Sequence, residues 1–215
     1  MPAAFDPPTD DTDPAAQALA APRKRPKPGE RRVQILQALA QMLEQPGAER
    51  VTTAALAARL SVSEAALYRH FASKAQMFEA LIDFIESSVF GLIGQITERE
   101  PDGRTQAARI VAMVLQFGER NPGMARVMAG DALVLEHERL RQRMNQLFDK
   151  LEAALRQCLR NAAAGGPATP TPDADAQVTA SVLAAFTAGR LQRFARSGFR
   201  RAPTEQLDAC IARML

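Results

Sequence analysis

Between Thr52 and Lys74 the chain reads TTAALAARLSVSEAALYRHFASK, a stretch whose polar residues suit recognition of nucleic acid better than turnover of a substrate. Glu64 can accept from a cytosine amino group. Ala65 and Ala66 offer methyl contacts to thymine, and Tyr68, Arg69 and His70 can reach phosphates or base edges. Lys74 opens the next helix, so a cation and a helix N-terminus attract the same phosphate. Two short apolar stripes set these residues in place. Leu56, Ala57 and Leu60 recur at helical spacing within Ala54–Leu60, with Arg59 outside the stripe. Ser61, Val62 and Ser63 break the period, and Ser63 is a favourable N-cap for a second helix. There Ala66, Leu67 and Phe71 face the first helix, which leaves Glu64, Ala65, Tyr68, Arg69 and His70 on or near the outside. The same pattern also permits an ordinary helical hairpin with His70 as a packing residue.

Other chemistries find little support. His70 and His137 have no evident metal-ligand partners, and no nucleophile–base motif accompanies them. Gly165-Gly166 lacks the Gly-Lys-Ser/Thr of a phosphate-binding loop. Cys158 and Cys210 stand far apart without CxxC spacing and read as small buried residues. No catalytic residue, metal or cofactor is expected. The absence of a signal peptide and of an apolar run of about 18 residues predicts a cytoplasmic protein with no membrane association.

The elements that must carry the reading residues are helical. Helix-forming residues dominate the 215-residue chain and strand-forming runs are scarce, so the fold expected is all-α. It comprises an N-terminal three-helix helix-turn-helix DNA-binding domain at 30–76 and a larger helical dimerisation and partner-binding domain at 77–215. Residues 1–29 form an acidic tail, carrying Asp6, Asp10, Asp11 and Asp13, and a basic arm, PRKRPKPG. The tail is expected to be disordered. The arm can follow a phosphate backbone or serve as a solvated linker. The net charge is only +3, but Arg23, Lys24, Arg25, Lys27, Arg31 and Arg32 collect directly before the first helix.

That helix is predicted over Glu30–Gln45, burying Val33, Leu36, Leu39, Ala40 and Leu43 and ending at Pro46-Gly47. A helix from Lys74 to Ile96 carries Met77, Phe78, Leu81, Ile82, Phe84, Ile85 and Val89, an apolar surface broad enough to touch both domains. After a PDGRT loop, a helix over Gln106–Phe117 leads into GERNPG, where Pro122 can restart a helix. Leu133–Arg160 reads as a long helix with Leu140, Met144, Leu147, Leu151, Leu155 and Leu159 inward, and Glu136, Glu138, Arg139, Arg141 and Arg143 in water. A low-complexity loop, Ala162–Asp175, precedes a helix over Gln177–Ser197. Its Val182, Leu183, Phe186, Leu191 and Phe194 mix with Ala184, Ala185, Ala188 and Gly189, a surface suited to a homodimer interface.

The run LYRHFASKAQMFEALIDF resembles the signature of the TetR family of bacterial regulators, with Ser61 where that family often has a turn glycine. A left-handed backbone there would cost up to about 1 kcal/mol. From Arg31 to Leu215, the segments VSEAALYRHFASKAQMFEALIDFIE, FGERNPGMARVMAGDAL, RMNQLFDKLEAALRQCLR and LQRFARSGFRRAPTEQLDA together resemble the nucleoid-occlusion branch of that family. This resemblance implies a cell-division inhibitor, associated with the nucleoid, that binds chromosomal palindromes in double-stranded DNA as dimers, with room for more than one dimer per site. When DNA-bound, it antagonises the tubulin-like division GTPase FtsZ.

The resemblance further implies DNA-facing roles for Thr52, Thr53, Ser63, Glu64, Ala65, Tyr68, His70 and Lys74, the threonine hydroxyls lying on phosphates. It implies an FtsZ-binding surface near Phe84, Met113, Gln116, Arg120 and Asn121. Leu92, Met113 and Gln116 depart from the residue types of that branch. An alternative for Asn121-Pro122-Gly123 is a capped loop, and for Phe84 core packing. The rival function is a ligand-responsive repressor of the same fold, which needs an internal pocket. An enzyme would need a polar cleft with converging titratable groups, and a purely structural helical protein would leave the reading residues without a ligand.

Overall fold

The computed structural model describes residues 29–45, 51–164 and 172–215. The acidic tail, the basic arm as far as Pro28, the Pro46-Gly47 terminator and the centre of the Ala162–Asp175 loop lie outside the described residues. Every regular element among the described residues is helical: α1 (Glu30–Leu43), α2 (Thr53–Arg59), α3 (Glu64–Tyr68), α4 (Lys74–Arg99), α5 (Gly103–Arg120), α6 (Pro122–Met128), α7 (Glu138–Ala164), α8 (Pro172–Arg196) and α9 (Leu207–Met214). A 3-10 turn at Asp131–Leu133 precedes α7.

Helix α1 buries Ile35, Ala38, Leu39, Ala40 and Leu43. Val33, expected on that face, is 53% exposed. Val33 and Ile35 stand about 200° apart around the helix, and the buried face takes Ile35 and Ala38 beside the expected Leu39, Ala40 and Leu43, leaving Val33 outside. Arg31 and Arg32 lie inside α1, not before it.

Helix α4 is continuous across the expected boundary at residues 76 and 77 and packs on α1, α5, α6 and α7. Met77, Phe78, Leu81, Ile82, Ile85 and Val89 are buried, as their spacing predicts, but Phe84 is 50% exposed. The PDGRT segment is shorter as a loop than expected. Asp102 Oδ2 accepts from the Thr105 amide and hydroxyl at 2.7 Å each, which caps α5 and starts it at Gly103. Gly103 is required at this point: a Cβ there would lie 2.0 Å from the Cys158 carbonyl oxygen on α7.

The α7 stripe Leu140, Met144, Leu147, Leu151, Leu155 and Leu159 is buried throughout. At about 2 kcal/mol for each fully buried side chain, against about 0–1 kcal/mol for an exposed ion pair, this stripe holds α7 in place. The helix starts later than expected, at Glu138, because Gly130 (φ 83°) and the 3-10 turn interrupt the chain and turn Val134 and Leu135 outward. Glu136 is not in water as predicted; its side chain is only 10% exposed and is paired with Lys74. Helix α8 starts earlier than expected, at Pro172, and α7 runs to Ala164, so both ends of the expected Ala162–Asp175 loop are helical. Leu183, Ala184, Leu191 and Phe194 point into the core, whereas Val178, Val182 and Ala185 are exposed.

No buried side-chain nitrogen or oxygen among the described residues is left without a hydrogen bond. Buried Gln106 donates through Nε2 to the carbonyls of Glu100 (2.6 Å) and Thr97 (3.2 Å), and buried Thr187 donates to the Leu183 carbonyl (2.7 Å). Burial also pushes the Cys158 thiol up from its ordinary pKa. Cys210 is half-buried and its sulfur lies 3.2 Å from an Arg190 guanidinium nitrogen.

Candidate nucleic-acid interface

A side-chain cap opens each of α2 and α3. Thr52 Oγ1 accepts from the Ala55 amide (3.2 Å) and Ser63 Oγ from the Ala66 amide (3.3 Å), so each hydroxyl ends an otherwise orphaned backbone donor. Between them Ser61 takes φ 53°, the left-handed backbone that a glycine would adopt more easily. Leu67 and Phe71 are buried and fix α3 against the rest of the head. Glu64, Ala65, Tyr68 and Arg69 are consequently exposed, with Tyr68 at 44%.

Helix α3 is short, and contacts beyond it orient its face. Thr53 Oγ1 donates to Glu64 Oε2 at 2.6 Å, joining the start of α2 to the start of α3. His70 is half-buried, and its carbonyl accepts from Arg32, whose guanidinium stacks 4.1 Å from the Phe71 ring centroid. Arg32 thus clamps the end of α3 from α1. The sequence placed Arg32 only in a cluster of basic residues, and no local signal in it points to this clamp. Arg59 Nη2 donates to Gln41 Oε1 (3.0 Å), a second tie between α1 and α2.

Lys74 begins α4 behind a Ser73 cap that accepts from the Gln76 amide (3.2 Å), while Gln76 Oε1 accepts from the Ala72 amide (2.8 Å). Its ammonium is bonded to Glu136 and lies 5.7 Å from the Phe78 ring centroid. Glu136 had no place among the predicted site residues, since nothing in the sequence relates positions 62 residues apart.

The residues expected on a partner surface occupy α4, α5 and the α5–α6 junction. Met113, Gln116 and Arg120 share one face of α5 at helical spacing; Met113 is half-buried and the other two are exposed. Arg120 has no ion-pair or hydrogen-bond partner among the described residues. Phe84 is surface rather than core, and Leu92, two turns along α4, is 37% exposed. Asn121 is a cap as well as a surface residue, since its Nδ2 donates to the Phe117 carbonyl at 2.8 Å. Pro122 opens α6 at its first position. This helix wedges between α1 and α8: a Cβ on Gly123 would lie 2.0 Å from the Ala40 carbonyl oxygen, and Arg126 donates to the Gln45 carbonyl (2.9 Å) while stacking 4.8 Å from the Phe199 ring centroid.

Comparison with known proteins bears on both halves of this arrangement. The model for bacterial regulatory proteins of the tetR family matches residues 35–81, and the SlmA-like model for a tetracyclin repressor-like C-terminal domain matches 102–214. The nucleoid occlusion factor SlmA of Alteromonas mediterranea is 49% identical over 178 residues, covering 83% of this chain and 90% of its own. That of Salmonella typhi is 50% identical over 180 residues, with the same shares covered. A TetR transcription regulator of known structure from Haloarcula marismortui aligns with a TM-score of 0.71 at 16% identity, over 86% of this chain and 96% of that one, a likeness of fold.

Proposed function

The chain belongs to the SlmA branch of the TetR family, DNA-binding regulators rather than enzymes, and we propose that it acts in nucleoid occlusion by binding chromosomal palindromes as a dimer and, on DNA, opposing FtsZ assembly. The observation that carries the reading is the outer face of α3. Glu64, Ala65 and Tyr68 are exposed together on a helix whose opposite side is locked by Leu67, within a head whose helices are tied by Arg32, Arg59 and Thr53.

On this reading α3 enters the major groove. Thr52 can hold a phosphate while capping α2, because an accepting hydroxyl keeps its proton to donate. Thr53 differs: its proton is committed to Glu64, so it orients the carboxylate that reads a base. Lys74 and the N-terminus of α4 supply a further phosphate anchor. Palindromic sites require a second copy, and the stripe Val178, Val182, Ala185 and Gly189 on α8 supports an interface between copies. Val178 and Val182 are 64% and 47% exposed, and a Cβ on Gly189 would meet nothing within 4 Å. Paired heads then read half-sites about one DNA turn apart.

FtsZ engages the α4–α5 surface on this reading, with Phe84 giving apolar area and the unpaired Arg120 attracting an acidic segment. The protein works in the cytoplasm, on the nucleoid. Genome-wide occupancy in its own cells tests the proposal: many palindromic sites spread over the chromosome but missing near the replication terminus are expected, together with DNA-stimulated inhibition of FtsZ polymers in a purified assay. Occupancy of a few promoters alone overturns it.

A further inference from the structure

Four ion pairs run down the seam between α4 and α7 with one polarity. Glu79 faces Arg139 (2.7 Å), Asp83 and Glu86 face Arg143 (2.7 and 3.2 Å), and Glu86 also binds Lys150, each time with the carboxylate on α4. At the top of the seam the polarity inverts. Here the cation, Lys74, is on α4, and the carboxylate, Glu136, comes from the turn before α7. The pair is also the most enclosed, with side-chain exposures of 25% and 10%.

We infer that Glu136 is an internal competitor of DNA phosphate for Lys74, so that a phosphate arriving at the start of α4 displaces it. The inference rests on Lys74 being a phosphate anchor, as proposed above. An ammonium already neutralised by an adjacent carboxylate attracts phosphate weakly, and the two anions repel across it. Once displaced, a carboxylate so enclosed must be hydrated, because a buried charge without its partner is strongly destabilising. Hydration requires movement of the turn at 134–137. Little apolar packing resists that movement, since Val134 and Leu135 are 62% and 66% exposed. Below the turn, the Glu79–Arg139 pair retains the start of α7. DNA occupancy is thereby transmitted from the reading head to the turn that leads into α7, through one exchanged ion pair.

The test is a double-mutant cycle with Glu136→Gln and Lys74→Gln in the full chain. The probe is a 30-base-pair duplex recovered by the wild-type protein from a random-sequence library, titrated at several salt concentrations, with melting followed by circular dichroism. Glu136→Gln is expected to tighten binding on the order of fivefold, and to change nothing in the Lys74→Gln background. Unchanged or weaker binding by Glu136→Gln overturns the inference, as does equal tightening in both backgrounds, which would reflect net charge alone. Lys74→Gln should weaken binding and lower the salt slope by about 1; wild-type affinity in that variant instead overturns the anchor reading itself. If Glu136→Gln does not fold, Glu136→Asp, which keeps the charge on a shorter stem, should tighten binding by a smaller factor, and its failure to do so counts against the exchange. Amide exchange at 134–140 in the wild-type protein should accelerate when the duplex is added, and unchanged rates also overturn the proposal.

Discussion

Gly123 lies directly on the Ala40 carbonyl, so α6 meets α1 backbone to backbone, with a hypothetical Cβ only 2.0 Å from that oxygen. No side chain intervenes to absorb a displacement, and α6 begins two residues after Arg120. Any displacement of α1 would therefore reach the α5–α6 junction by rigid contact. Gly123→Ala should destabilise the fold by about 3 kcal/mol, the upper range for overpacking, since the clashing atom is backbone and cannot change rotamer. Urea denaturation measures this. A cost below about 0.5 kcal/mol would show that the two helices separate easily and cannot transmit such a shift.

With Glu64 reading a base as proposed, the Thr53–Glu64 bond would make base preference depend on a residue that need not touch a base. Removing the hydroxyl in Thr53→Val leaves Glu64 free to rotate, so discrimination at the base pair read by Glu64 should relax with little loss of overall affinity. Glu64→Ala should alter preference at that one position by about 1–3 kcal/mol. Tyr68→Phe, by contrast, should weaken all duplexes alike. Binding measured against a library of single-base operator variants separates these outcomes, and a Thr53→Val profile identical to wild type would dismiss the orienting role.

The residues of the reading head were legible because a helix-turn-helix is local. Ser63 caps, Leu56 and Leu67 bury, and Ser61 bears the left-handed φ of 53° that its place in the turn implied. The α7 stripe was equally plain, since six apolar residues at three- and four-residue spacing admit one inward face. Val33 was misplaced because α1 carries apolar residues around much of its circumference and its partner helices decide which of them are buried. Glu136 was hidden for another reason: leading into the polar run His137-Glu138-Arg139, it becomes enclosed only when a turn folds back on α4. Arg32 shows the same limit, as its stacking on Phe71 depends on tertiary contact. The two faces of α8 separated only in the structure, where Leu183 and Leu191 took the core and Val178 and Val182 the surface.

Arg120 and Phe84 are placed to be changed without harm to the fold. Arg120 is exposed and unpaired among the described residues, and Phe84 leaves half its surface in water. Arg120→Ala and Phe84→Ala should each lower inhibition of FtsZ polymers at least tenfold while leaving duplex affinity and melting temperature nearly unchanged. Light scattering of FtsZ with and without duplex provides the readout. Loss of DNA binding in Arg120→Ala would mean that the residue supports the head rather than a partner.

Glu86 gives the α4–α7 seam an acid limit. The hydrogen bond from Lys150, aided by Arg143 at 3.2 Å and opposed by partial burial, holds its carboxyl below the ordinary value of 4.5. Arg143 is raised, chiefly by its hydrogen bond to Asp83 and further by Glu86, and stays charged throughout. A carboxyl whose folded pKa is depressed adds stability above its unfolded pKa and loses it as pH falls through the folded one. The contribution should be complete at pH 7, begin to fade near pH 4.5 and vanish in stronger acid. Glu86→Gln should accordingly cost about 1 kcal/mol at pH 7, the scale of a partly exposed charge network, and converge on the wild-type stability once the pH falls below the depressed folded pKa. Urea denaturation of both proteins across that range decides the matter, because a difference that persists undiminished in acid would assign the role of Glu86 to packing rather than charge.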